Sequence, residues 1–168
     1  MSKNNSDFFR EKKDWSEIKD QLLGCYLTPY FSKILLTYRP VFYVDAFAGK
    51  GRFDDGKPGS PIIALERINS ALKTSKNLSP IIESCFIECR YAKELLNNIN
   101  GYADAKVIAG KYEDCIETEL LNRTNQNVFI YLDPYGIKSL KYSLIRGIAK
   151  RKFYSIELLF NFISFGFI

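Results

Sequence analysis

The chain contains no histidine. That absence removes Ser-His-Asp and Cys-His nucleophile systems, histidine-ligated zinc, and imidazole as an acid or base. Any chemistry falls to carboxylates, amines, backbone groups or a cofactor. Cysteine is sparse, and Cys25, Cys85, Cys89 and Cys115 form no Cys-x-x-Cys unit. With Cys85 and Cys89 inside an apolar run, the expectation is buried free thiols rather than disulfides or a metal site, as suits a reducing cytoplasm. No apolar stretch is long enough to span a bilayer, residues 1–13 hold no apolar signal core, and no internal repeat or low-complexity segment is visible. The sequence therefore predicts a soluble, cytoplasmic protein without a membrane partner.

What is present describes a single globular domain. At 168 residues, with 46% hydrophobic and 15% aromatic content, the chain can bury a core of its own. The balance of 24 Lys+Arg against 19 Asp+Glu, a net +5, favours an anionic partner without demanding one, because both signs are scattered.

The organising stretch is residues 41–52, where the apolar run Val41-Phe42-Tyr43-Val44 stops in Asp45 and then passes through Ala46-Phe47-Ala48 to Gly49-Lys50-Gly51-Arg52. β-branched and aromatic residues make a buried strand, and the glycines let the backbone turn and a ligand come close. Open α/β sheets bind nucleotide-like ligands at such a strand-to-loop edge. Gly-x-Gly also occurs in plain turns, so the later segments decide.

Residues 1–14 are polar and are expected to form a flexible arm. Across residues 15–38, Ile18, Leu22, Tyr26, Tyr30 and Ile34, flanked by Leu23, Leu27, Phe31 and Leu35, recur at helical spacing and predict an N-terminal helical cap on the sheet. Pro29 predicts a kink, or two helices meeting near Leu27 and Thr28. Residues 53–59 are dense in turn formers; Ser60 suits a cap and Pro61 the first helical position. The loop between is long, which in a compact domain points to function, and the helix start offers N–H groups to an anion.

Further strands are predicted at 82–89, ending near Glu88, and at 106–110, 128–132 and 156–162, with helices at 92–99, 115–121 and 139–150. The alternation defines an α/β fold over residues 15–168, doubly wound and Rossmann-like, with a mostly parallel sheet. Residues 163–168 stay apolar, so the sheet is expected to continue past a fifth strand, in a longer protein, or else to end early as a shortened relative with an exposed edge.

With the first strand beside the fourth, Asp45, the Gly49-Lys50-Gly51 loop, Glu88, the pair Glu113 and Asp114, and Asp133-Pro134-Tyr135 emerge on one edge. Glu88 is placed to accept hydrogen bonds from both hydroxyls of a ribose, the alternative being a solvated strand end. Glu113 and Asp114 suit an adenine amino group, or simply an acidic first helical turn. In Asp133-Pro134-Tyr135-Gly136, a carboxylate and a proline-stiffened carbonyl can take the two protons of an amino group while an aromatic ring stacks on it, as methyl transfer to a planar nitrogen requires. An ordinary turn is the other reading. Phe47, Phe53 and Tyr135 would wall such a site. The cations Lys138, Lys141, Arg146, Lys150, Arg151 and Lys152 suit nucleic-acid phosphates or a solvated helix face. Asp45 and Asp133 as Mg²⁺ carboxylates are a third reading, without a phosphate-binding lysine motif to support it.

Residues 43–52, 55–65, 86–88, 132–136 and 158–162 together closely resemble the three-Cys-motif partner proteins. The likeness extends over nearly the whole chain from about Trp15, and Gly56-Lys57-Pro58-Gly59-Ser60-Pro61 is its most distinctive element. It implies a Rossmann-type S-adenosylmethionine-dependent methyltransferase-like protein, encoded beside a radical-type protein that carries the three cysteines. It further implies Asp45, Gly49 and Gly51 at the methionine end of the cofactor and Glu88 at the ribose; with Phe47 in the wall and Asp114 toward the adenine, these make up the expected cofactor-binding set. Asp133, Pro134 and Tyr135 match the place of an Asp-Pro-Pro-Tyr element in amino-methyltransferases, although here the second proline is absent and Gly136 follows Tyr135. Two expectations result: methyl transfer to an amino or amide-like nitrogen, with nucleic acid as one candidate acceptor, or a non-catalytic nucleotide fold that docks on the radical-type neighbour.

Overall fold

The most apolar runs become the central strands. Val41–Asp45 (β1) and Asn127–Leu132 (β4) are buried at every position and lie side by side, with Asp45 level with Tyr131. The computed structural model describes residues 8–134, 136 and 140–161. Among them Ile82–Glu88 (β2), Ala105–Ala109 (β3) and Ser155–Phe160 (β5) complete one sheet of order β3-β2-β1-β4-β5. Every pairing is parallel, so each connection crosses over, and a helix takes each crossover. These are Ser60–Thr74 (α2), Ala92–Asn98 (α3), Tyr112–Glu119 (α4) and Tyr142–Ala149 (α5), preceded by Asp14–Ile34 (α1). The molecule is a doubly wound, Rossmann-like α/β fold with an N-terminal helix.

Alternation of side chains along the strands divides the core in two. On one face Tyr43, Phe86 and Phe129 pack with Leu23, Leu27 and Phe31 of α1, Ile62 and Leu65 of α2, and Leu95 of α3. On the other, Phe42, Val44, Val128 and Ile130 meet Tyr112 and Ile116 of α4 and Ile148 of α5. Among the described residues, no helix is long and apolar enough to cross a membrane.

Three expectations about the N-terminal part are corrected. First, α1 runs unbroken through Pro29 instead of dividing near Leu27 and Thr28. Pro29 and Cys25 both lie on the exposed side, where water can take the Cys25 carbonyl that the ring leaves without a donor. Second, the apolar stripe is narrower than predicted. Leu23, Leu27, Phe31 and Leu35 are buried, whereas Ile18 and Leu22 are 59% and 66% exposed and Tyr26 is also exposed. A helix against one sheet face buries one line of residues, and Leu22 points about 100° away from Leu23.

Third, residues 8–13 form a tightly held strap and not a flexible arm; residues 1–7 lie outside the described part. The Phe9 carbonyl accepts from Asp54 N at 2.8 Å, and Lys12 N donates to Asp55 Oδ2 at 3.1 Å. Lys12 Nζ reaches inward to the Pro58 carbonyl at 2.6 Å and Asp20 Oδ2 at 2.7 Å. Two phenylalanines and one buried lysine anchor a stretch whose overall composition is polar.

Some boundaries also shift. The fourth helix begins at Tyr112, ahead of the expected 115, which places Glu113 and Asp114 in its first turn. Tyr135, the expected helix start at 139 and the last strand residue Phe162 lie outside the described residues, as does the apolar tail 163–168.

Lys12 and Asp20 have side chains 5% and 4% exposed. Removing one partner of a buried pair strands the other charge, at a cost on the order of 3 kcal/mol. Lys12→Met is expected to lose about that much in urea denaturation, and Lys12→Met with Asp20→Leu to regain most of it; equal loss in both proteins would show that the pair is not the anchor.

Candidate functional site

The site begins at the tip of β1. Asp45 is fully buried, its Oδ1 accepting from Phe47 N at 3.1 Å and its Oδ2 from Ser60 Oγ at 2.7 Å. One carboxylate thus pins both the departure of the β1–α2 loop and its return. Ser60 is not the helix cap that its position suggests; Gly59 is the N-cap residue, without a side-chain capping bond. Burial pushes the Asp45 pKa up to about 7; the two hydrogen bonds oppose this, and the neighbouring Asp133 adds to it.

Gly49 and Gly51 have φ of 65° and 78°, the left-handed region that favours glycine. A Cβ on Gly51 would stand 2.8 Å from Leu95 Cδ1, so the loop presses directly on α3. Gly59 N closes back on the Gly51 carbonyl at 2.8 Å, and Arg52 and Pro58 form an antiparallel bridge. Residues 52–58 therefore stand out as a tongue, and the strap is bound to it.

Glu88, at the tip of β2, accepts three backbone N–H groups: Gly49 N on Oε2 at 2.8 Å, and Arg90 N and Tyr91 N on Oε1 at 2.7 and 3.2 Å. It ties the glycine loop to the β2–α3 turn and is not a merely solvated strand end. A carboxylate has about four acceptor positions, which leaves Oε2 able to take one more donor. Asp133, just past β4, pairs through Oδ2 with Lys19 and accepts Asn161 Nδ2 on Oδ1 at 2.8 Å. The Pro134 carbonyl accepts from Gly136 N at 2.8 Å.

Around these tips lies a cavity of about 500 Å³, to which Phe47, Gly49, Gly51, Glu88, Asp133 and Pro134 all contribute. The convergence expected from the strand order is present in the structure. Asp45 lies beneath the cavity rather than in its wall, and acts on it through Ser60, which does line it. Asp114 is exposed and does not line the cavity; its neighbour Glu113 does, because successive residues of a first helical turn point about 100° apart. Phe53 is part of the wall as expected, and Tyr135 lies outside the described residues.

Aromatic side chains unforeseen from the sequence complete the wall: Phe8 and Phe9 from the strap, Trp15 from α1, Tyr91 after β2 and Tyr112 opening α4. Phe9 meets Tyr91 edge-on at 4.9 Å between centroids and Phe53 at 5.6 Å. Phe47 and Tyr112 lie 5.5 Å apart. Lys19 was also missed. Only the aromatic richness of the chain hinted at this wall, and no local motif marks Lys19.

The cysteines do not all follow expectation. Cys85 is buried, and burial raises its thiol to about 12, but Cys25 and Cys89 are exposed and Cys115 is half-buried. Glu88 ends the strand, so Cys89 falls beyond the buried run. All four are free, and the described residues hold no cluster of three or more His, Cys, Asp or Glu placed to bind a metal ion. The two carboxylates of the Mg²⁺ reading, Asp45 and Asp133, each spend both oxygens on protein donors.

Comparison of the chain with protein-family models, curated proteins and solved structures found no match. The geometry of the rim therefore carries the functional argument.

The unfolded chain releases the Asp45 proton near pH 3.8 and the folded chain near pH 7. Between these values the folded state binds the extra proton, so stability falls as the pH rises from about 4 to about 7. Urea denaturation across that window is expected to show a slope roughly 1 kcal/mol per pH unit steeper in the wild type than in Asp45→Asn. Parallel curves would mean that Asp45 does not retain its proton on folding.

Proposed function

We propose that the protein is an S-adenosylmethionine-dependent, methyltransferase-like member of the three-Cys-motif partner group, acting on an amino or amide-like nitrogen. The observation that carries this reading is Glu88, whose Oε2 joins the glycine loop at 2.8 Å and retains one acceptor position at the cavity. A ribose hydroxyl suits that position. The cavity is of a size usual for small-molecule sites, walled by seven aromatic side chains together with convergent polar and charged groups, and it sits at the strand ends where such sheets take nucleotide-like ligands.

Its remaining residues fit the same ligand. With Asp45 ionised, the Ser60 hydroxyl gives its proton to that carboxylate and offers the cavity lone pairs, which suits a donor such as the ammonium of a methionyl group. Phe47 and Tyr112 provide apolar ring surface on which a purine can lie. When bound, S-adenosylmethionine would supply an electrophilic methyl group on a sulfonium. The work left to the protein is to orient the acceptor and exclude water, a task that this reading gives to Asp133, Pro134 and Trp15 of the cavity wall.

A second reading, docking on a radical-type neighbour, draws on the exposed apolar line Ile18, Leu22 and Tyr26 along α1. Co-purification lost on Leu22→Asp would support it. The exposed Lys141, Arg146 and Lys150 of the α5 region lie outside the cavity wall, so a nucleic-acid acceptor would have to span from one surface to the other.

Calorimetry with S-adenosylhomocysteine tests the proposal. Wild-type protein should bind it, Glu88→Gln should weaken binding by roughly tenfold, the loss of one good hydrogen bond, and Asp114→Asn should leave it unchanged. No heat from folded protein would remove the methyltransferase reading.

A further inference from the structure

The reading above gives no task to Lys19, a charged residue of the cavity wall. It reaches the wall from α1, one turn after Trp15, and its ammonium rests on Asp133 Oδ2. Asn161 Nδ2, 2.8 Å from Oδ1, fixes the plane of that carboxylate. The Trp15 ring centroid lies 5.7 Å from Lys19 Nζ. A carboxylate beside an aromatic face is a recognition set for an alkylammonium group. Lys19 takes one acceptor position of Asp133 Oδ2, and Gly136 N takes one of the Pro134 carbonyl.

Other lysines near the cavity do not share this setting. Lys12 is turned into the strap, held by Asp20 and the Pro58 carbonyl. Lys111 lines the cavity beyond the tip of β3 and is exposed. Lys19 alone of the three holds an amine against the carboxylate assigned to the acceptor, with its side chain only 18% exposed.

We propose that Lys19 is a methylation site of the protein's own making: its amine occupies the acceptor position, is methylated in cis, and marks a primary alkylamine as the acceptor class. The inference rests on the methyl-transfer reading. The transfer needs the Lys19 amine unprotonated, and its proton leaves through Asp133 Oδ2, which it already contacts. The freed Nζ lone pair forms the nitrogen–carbon bond to the methyl group while the sulfur–carbon bond breaks. The bonding pair stays on sulfur, S-adenosylhomocysteine leaves, and the carboxylic acid returns its proton to water.

The test uses the full chain with two readouts. In the first, purified protein is incubated with S-adenosylmethionine and digested for peptide mass mapping. One added methyl is expected on Lys19, absent in Lys19→Arg, which keeps a cation on Asp133, and formed roughly a hundredfold more slowly in Asp133→Asn. The second needs no turnover: acetic anhydride labelling of Lys19 should fall when S-adenosylhomocysteine is added, while labelling of the exposed Lys93 stays constant. If S-adenosylhomocysteine binds but Lys19 is neither methylated nor protected, the proposal is overturned and the methyl-transfer reading stands. Methyl found on Lys111 instead overturns it equally. If S-adenosylhomocysteine does not bind the folded chain, both fall together.

Discussion

The architecture of the rim depends on one buried carboxylate. Asp45 receives Phe47 N and the Ser60 hydroxyl, so the loop that leaves β1 and the helix that returns are joined at a single point under the sheet edge. Burying that group is costly, and its raised pKa records the cost. In return the long excursion from residue 46 to 59 has a closed base, and its upper part is free to stand away from the sheet as a tongue. Without such a clasp, a loop of that length would pay the ordering entropy with little to hold its ends.

Above the clasp, charge is organised in a second layer. Asp20, Asp45 and Asp133 crowd the cavity side of α1 and the central strands, and Lys12 and Lys19 reach in from the strap and α1 to meet them. The Tyr43 and Tyr131 hydroxyls lie buried nearby with no partner among the described residues, and burial together with these carboxylates holds their pKa values up. Three carboxylates this close are tolerable only with compensating cations or retained protons. That requirement explains why α1 turns Lys19 toward Asp133. It also explains why the strap, through Lys12, is part of the folded domain.

The strands were legible because their chemistry is local. Runs such as Val41-Phe42-Tyr43-Val44 and Val128-Phe129-Ile130-Tyr131-Leu132 are apolar on both faces, as central parallel strands must be, and each stops in a carboxylate that the order of the sheet brings to one rim. Glu88 and the glycines were readable for the same reason. What escaped the sequence is tertiary. Ser60 looked like a helix cap because nothing local shows that Asp45 is its partner. The period of α1 revealed an apolar stripe but not that the line through Leu23 and Leu27, rather than the line through Ile18 and Leu22, would face the sheet. Phe8, Phe9 and Lys12 were hidden in a polar composition, and Lys19 acquires its setting only when α1 lies across the strand tips.

The central claim is that the rim between the glycine loop and Glu88 receives an adenosyl group. Two-dimensional amide NMR of labelled protein titrated with S-adenosylhomocysteine tests it most directly. The account predicts saturable shifts at Gly49, Gly51, Arg90, Tyr91 and Tyr112, with the α5 amides Ser143 to Ile148 unmoved. Unchanged spectra, or shifts confined to α5, would contradict it.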